Sequence, residues 1–131
     1  MRPGPDAELP SGLIAAGETV VRVLDAAGLP PDTAFWMWFR DVKGWRLILS
    51  GGPLARLVPK AAMARVRKAL DDADAAPGFD PDLIGVMSPD AAPVAAIRGG
   101  LATGPGFHGI RLRNNRLAGV VIPGAYVYRA N

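Results

Sequence analysis

Thr33-Ala34-Phe35-Trp36-Met37-Trp38-Phe39, followed by Arg40-Asp41-Val42-Lys43-Gly44 and then Trp45-Arg46-Leu47-Ile48-Leu49, is the passage on which the reading of this chain turns. Aromatic side chains favour strands, and the first run is the clearest strand of the sequence. Asp41 to Gly44 supplies turn residues, so the second apolar run completes a hairpin that Gly51-Gly52-Pro53 ends. Alternation sets Phe35, Met37 and Phe39 on one face and Trp36 and Trp38 on the other. If helices cover one side only, Trp36 and Trp38 form an exposed apolar interface, since large apolar patches mark binding surfaces. If the strand is central, both sets are core.

Upstream of the hairpin, Leu13, Val20, Leu24 and Ala27 recur at helical spacing with Ile14 and Val21 beside them, which predicts a helix over 11–27. Gly28 suits a left-handed cap, and Pro30 and Pro31 stop the helix. Residues 1–10 hold Pro3, Pro5, Pro10, Asp6 and Glu8, without the basic and apolar regions of a secretory signal. They are expected to form a flexible tail on a cytoplasmic protein whose single domain spans 11–131.

Downstream, Pro59 opens a helix to about residue 73, with Ala62, Met63, Val66 and Leu70 on one side and Lys60, Arg65, Arg67 and Lys68 on a solvated other side. A linker rich in Asp, Ala, Pro and Gly follows over 71–82. A buried strand is expected over 83–87, then a short helix capped by Ser88 or Asp90 and ended by Gly99-Gly100.

From Ile110, apolar and basic residues alternate as Ile110-Arg111-Leu112-Arg113, the period of a half-buried strand. Asn114-Asn115 tolerates positive φ and fits a two-residue turn. Pro123-Gly124 fits another, giving a three-stranded meander with Ala125 to Arg129 as its last strand. In that register Arg113 faces Arg116 and Leu112 faces Leu117, and Arg111, Arg113, Arg116 and Arg129 gather on one exposed face. Like charges directly opposite one another cost up to about 1 kcal/mol unless an anion lies between them. The four arginines are therefore the candidate site for an anion or a partner. Carboxylates of the chain itself are the competing account.

At 131 residues the chain has the size of one domain. Half of its residues are hydrophobic, but Pro and Gly interrupt them before the ~20 apolar residues of a membrane span accumulate. Without Cys, and with His108 as the sole His, disulfides, thiolate metal sites and multi-histidine metal sites are excluded. The sequence pI is near 9.8, yet the formal net charge is only +3. Charge is segregated instead: residues 71–90 hold six Asp and no basic residue, and residues 91–131 hold five Arg and no acidic one.

Gly104-Pro105-Gly106-Phe107-His108-Gly109 has the Gly-x-Gly-x-x-Gly spacing of a dinucleotide loop. It follows a helix and opens a strand, the reverse of that fingerprint, and reads as a plain loop. His108 lacks a visible catalytic partner, no serine elbow exists, and the Asp cluster lacks the glycine and closing glutamate of a calcium loop. No catalytic, cofactor-binding or metal-ligating residue is assigned.

The segments Ala34-Phe35-Trp36, Gly44-Trp45-Arg46-Leu47, Ile84-Gly85-Val86-Met87-Ser88-Pro89 and Ala125-Tyr126-Val127-Tyr128-Arg129 resemble those of small uncharacterised bacterial proteins across about residues 33–129. The resemblance implies a fold unit and no chemistry. The reading is an α+β domain: a mixed, mainly antiparallel sheet of about five to six strands with about three helices packed against it. Its expected role is a non-enzymatic protein-interaction or accessory module, self-association included. The alternative is binding of RNA or DNA phosphates by the arginine-rich surface.

Overall fold

The computed structural model describes residues 9–74, 80–101, 103–104, 106–117 and 119–131, with the backbone alone for 114 and 115. The fold is α+β. Its elements run α1 (Ser11–Ala26), β1 (Thr33–Phe39), β2 (Gly44–Ser50), α2 (Pro59–Asp72), β3 (Ile84–Val86), α3 (Ala92–Leu101), β4 (Ile110–Leu117) and β5 (Val120–Ala130). Short 3-10 turns at Gly52–Arg56 and Pro81–Leu83 connect them. The five strands lie in the order β3-β2-β1-β5-β4, all pairs antiparallel except β2 with β3.

The aromatic strand is central, so both its faces are core. Trp36 packs with Leu47, Val20, Leu24, Val66 and Leu70 beneath α1 and α2, while Phe35 and Met37 pack with Ile48, Val127, Val94 and Ile97 beneath α3. Each such apolar side chain, fully buried, contributes about 2 kcal/mol. The tail expected over residues 1–10 does not include Leu9, which is buried in the core at 6 % exposure. The rest of that tail lies outside the described residues.

One irregularity fixes how α1 sits. Along the β1–β5 ladder Ala34 faces Arg129 but Phe35 faces Val127, so Tyr128 is the extra residue of a β-bulge. The bulge cancels one step of the alternation, and Tyr128 and Arg129 both turn to α1. Trp36 Nε1–H donates to Tyr128 Oη at 3.0 Å, and the Tyr128 hydroxyl donates to the Ile14 carbonyl at 2.5 Å. Arg129 reaches the other half of α1 with two hydrogen bonds to the Asp25 carboxylate, 2.7 and 3.0 Å, and one to the Pro31 carbonyl at 3.0 Å. Gly17 is required at the crossing, because a Cβ there would lie 2.5 Å from Trp36 Nε1 and closer still to Tyr128 Oη.

The expected three-stranded meander is replaced by a two-stranded one. Leu117 faces Val120 at the strand ends, and Gly119 between them has φ +80°, a conformation glycine takes without strain. Asn114 and Asn115 lie within β4, and Pro123-Gly124 lies within β5. The physical reason is charge and burial together. In this register Arg111, Arg113 and Arg116 face Tyr126, Gly124 and Val121, so no two arginines oppose one another, and Leu117, Val120 and Ile122 join the core under α3. Pro123 is tolerated because β1 pairing ends at Ala125, leaving no β1 partner that needs its missing N–H.

Burial raises the pKa of the Tyr128 phenol far above its ordinary value of about 10, because it disfavours the phenolate; the Trp36 hydrogen bond opposes that rise and is the smaller effect. In the unfolded chain this tyrosine ionises near pH 10 and in the folded chain it does not, so its contribution is complete below about pH 10 and is lost above it. Tyr128→Phe is expected to cost about 2 kcal/mol at neutral pH, since it orphans the Trp36 donor and the Ile14 acceptor. It is also expected to flatten the loss of stability above about pH 10. Urea unfolding at neutral and alkaline pH measures both.

Candidate functional site

The residues singled out in the sequence separate into two groups. Trp36 and Arg129 are structural: Trp36 is fully buried, Arg129 is 5 % exposed, and each belongs to the clamp on α1. They are removed from the candidate interface and the candidate anion site respectively, because the central position of β1 buries the first and the bulge turns the second inward. Trp38 is half-buried and meets Trp45 edge to face at 5.7 Å, so no exposed tryptophan pair exists on this face.

Arg111, Arg113 and Arg116 remain at the surface, all exposed and all on β4. A strict alternation would send Arg113 and Arg116 to opposite sides. It is broken here: Leu112 and Leu117, five positions apart, pack in the same cluster under α3, and so do Ile122 and Ala125, three apart on the paired strand. The two strands switch together around Asn114 and Pro123. All three arginines therefore turn away from the α3 core, as the sequence suggested, by a mechanism that it did not suggest.

Among the described residues β4 is an edge strand with β5 as its single neighbour. The other edge, β3, has only three residues and lies against α2. Beside β4, Leu9, Trp45, Tyr126, Gly124, Arg111 and Arg113 line a groove of about 250 Å³. Gly124 forms its floor opposite Arg113 because it has no side chain, and the Arg111 guanidinium lies over the Tyr126 ring, 5.3 Å from its centroid. A cation held over an aromatic face contributes about 1 kcal/mol and restricts a long side chain.

The basic face of α2 does not extend this surface. Arg67 pairs with Asp82 and Lys68 with Asp72, both at 2.8 Å, so those two members of the acidic segment answer their neighbours on α2. The Arg129 carboxylate partner is Asp25, outside that segment. α2 borders β3 and the three arginines border β5, at opposite ends of a sheet about 19 Å across.

His108 is exposed in the loop before β4, and its backbone N–H donates to the Tyr128 carbonyl at 2.7 Å. It lines a second hollow with Ile14, Glu18, Phe107, Tyr126 and Tyr128. Phe107 there has the Arg22 and Arg129 guanidiniums within 4.4 and 5.1 Å of its ring centre, which seats the loop on α1. The Gly-x-Gly-x-x-Gly segment is a connection from α3 to β4, with Gly104 bridged to Ala130; Pro105 lies outside the described residues. Among the described residues no group of three or more His, Asp or Glu side chains is placed to hold a metal ion, and no helix is long and apolar enough to cross a membrane.

No family model, curated protein or solved structure matches the chain. Residue roles therefore rest on geometry.

Two outcomes are expected from this arrangement. Asp25→Asn removes the partly exposed half of the pair and leaves the buried Arg129 charge without its carboxylate, at a cost of about 2 kcal/mol in denaturant unfolding. Replacing Arg111, Arg113 and Arg116 together by threonine takes the charges off the described edge and is expected to increase concentration-dependent self-association in light scattering relative to the unsubstituted chain.

Proposed function

We propose that the chain is a non-enzymatic interaction module that takes an extended segment of a partner protein along β4. The observation that carries this reading is the sheet order: β4 is eight residues long and, among the described residues, outermost with a strand on one side only. An edge strand presents a row of main-chain donors and acceptors, and adding a strand to it is a recurring mode of peptide recognition. α3 packs against the inner side of β4 and β5, so the edge is held ready and little ordering is needed on binding.

A second copy of the chain is a poor occupant of this edge, since pairing β4 with β4 brings arginine against arginine. A nucleic acid has less support than a protein. Base stacking needs open ring faces, whereas Tyr126 is covered by Arg111 and Trp45 is turned onto Trp38. With Arg129 inside the fold, the cations left on the strand number three, few for a phosphate track.

Selection of displayed peptides against the full chain tests the reading without a known partner. Recovered peptides are expected to slow amide hydrogen exchange in β4 and to leave β3 unchanged. Failure to recover binders, or protection confined to other elements, would sink it.

A further inference from the structure

We propose that the groove beside Trp45 and Tyr126 is the seat of the chain's own residues 1–8, which close it from within the same molecule. The groove lies on the face of the sheet, so the proposal is independent of strand addition at the β4 edge. Its starting point is Leu9. That side chain is 6 % exposed, packs in the cluster that holds Trp36, and at the same time lines the groove. The segment preceding it is therefore tethered at the groove wall. Pro10 has φ −59° and ψ 141°, an extended conformation, so the helix does not continue upstream of Ser11.

The groove has the form and chemistry of a seat for such a segment. Trp45 and Tyr126, both half-buried, give it apolar walls, and Gly124, without a side chain, leaves room for a main chain between them. Aromatic-lined grooves accept extended, proline-bearing segments, which lose little conformational entropy when they dock. Residues 1–8 read Met1-Arg2-Pro3-Gly4-Pro5-Asp6-Ala7-Glu8. Fully extended, eight residues reach roughly 26 Å, several times the distance between neighbouring strands, so from Leu9 they can cross β5 and β4. Charge agrees with this path. Arg111 is turned from the open edge onto the Tyr126 ring, which puts a guanidinium on the groove side, and Glu8 and Asp6 stand one and three residues before Leu9.

Size and tethering favour this occupant over others. At about 250 Å³ the groove is smaller than the roughly 300–1,000 Å³ of pockets that enclose small molecules, and it suits a strip of chain better than a compact ligand. A segment linked at the groove is present there at an effective concentration on the order of 1 mM, so a separate peptide enters only if it binds well below that. Any partner that uses this face must displace residues 1–8.

Photo-cross-linking in the full chain tests the proposal. The chain has no Cys, so Gly4→Cys provides a single thiol for a benzophenone label and leaves Pro3 and Pro5 in place. After irradiation at low protein concentration, mass spectrometry is expected to find monomeric product with most links at Trp45, Gly124 and Tyr126. A thermal melt equal to that of the unsubstituted chain shows that the variant is folded, and Arg2→Cys serves where it is not. Links spread over α1, α2 and α3 in proportion to their exposed surface overturn the proposal, because an undocked segment gives that pattern. Links between isotopically distinct copies in a mixed sample overturn it in favour of a second chain as the occupant. Links confined to residues 113–117 overturn the groove as the seat and place the segment on the β4 edge.

Discussion

Two consecutive side chains of β5, Tyr128 and Arg129, turn to the same helix, and the rest of the molecule is arranged around that fact. A regular strand would send one of them to each face; the bulge against Ala34 and Phe35 sends both to α1. Tyr128 holds the first half of the helix through the Ile14 carbonyl and ties it to Trp36, and Arg129 holds the second half through Asp25. The two contacts differ in kind. The phenol is a satisfied neutral group whose loss leaves two orphans, whereas the guanidinium is a buried charge that the fold tolerates only with its carboxylate. Its Nε has no hydrogen-bond partner among the described residues, so Asp25 and the Pro31 carbonyl carry the burden of burying it.

This clamp determines what is left for the surface. Trp36 and Arg129 have the composition of interface residues, and the fold uses both internally. What remains at the surface among the described residues is the arginine-bearing face of β4, whose position depends on β5 because no other described strand touches it. The shared switch of β4 and β5 near Pro123 then puts Leu117 back into the core under α3 and leaves Arg116 outside. Without it, the terminal part of β4 would offer a leucine to solvent and an arginine to the core.

The sequence showed most of the elements and little of their irregularity. Helix α1 and its cap at Gly28, the aromatic hairpin and helix α2 follow from local periodicity and punctuation, and all lie where those signals put them. The terminal hairpin was misread because Asn114-Asn115 looks like a competent turn, whereas the strands reverse beyond Leu117, near Gly119; what decides between the two is long-range. Pairing four residues further along buries Leu117 and Val120 and parts the arginines, and neither gain is visible in a window of a few residues. The β5 bulge had no local signal, since Tyr126-Val127-Tyr128-Arg129-Ala130 reads as a regular strand. Asp25 had none either: it is one residue from the core Leu24 and looks like the edge of an amphipathic helix.

A single physical term governs how the arginines on β4 meet any approaching strand. Opposed like charges make pairing of two copies unfavourable along the eight residues of this strand. The same term changes sign for a strand bearing carboxylates. How strongly this charge row discriminates between approaching strands grows with how firmly the charges are held. Arg111 is laid over Tyr126, Tyr126 meets Tyr128 edge to face at 5.3 Å, and Tyr128 is fixed by Trp36 and Ile14. A continuous chain of contacts thus leads from the buried clamp on α1 to the exposed edge, and the order of the surface arginine derives from the order of the core tyrosine.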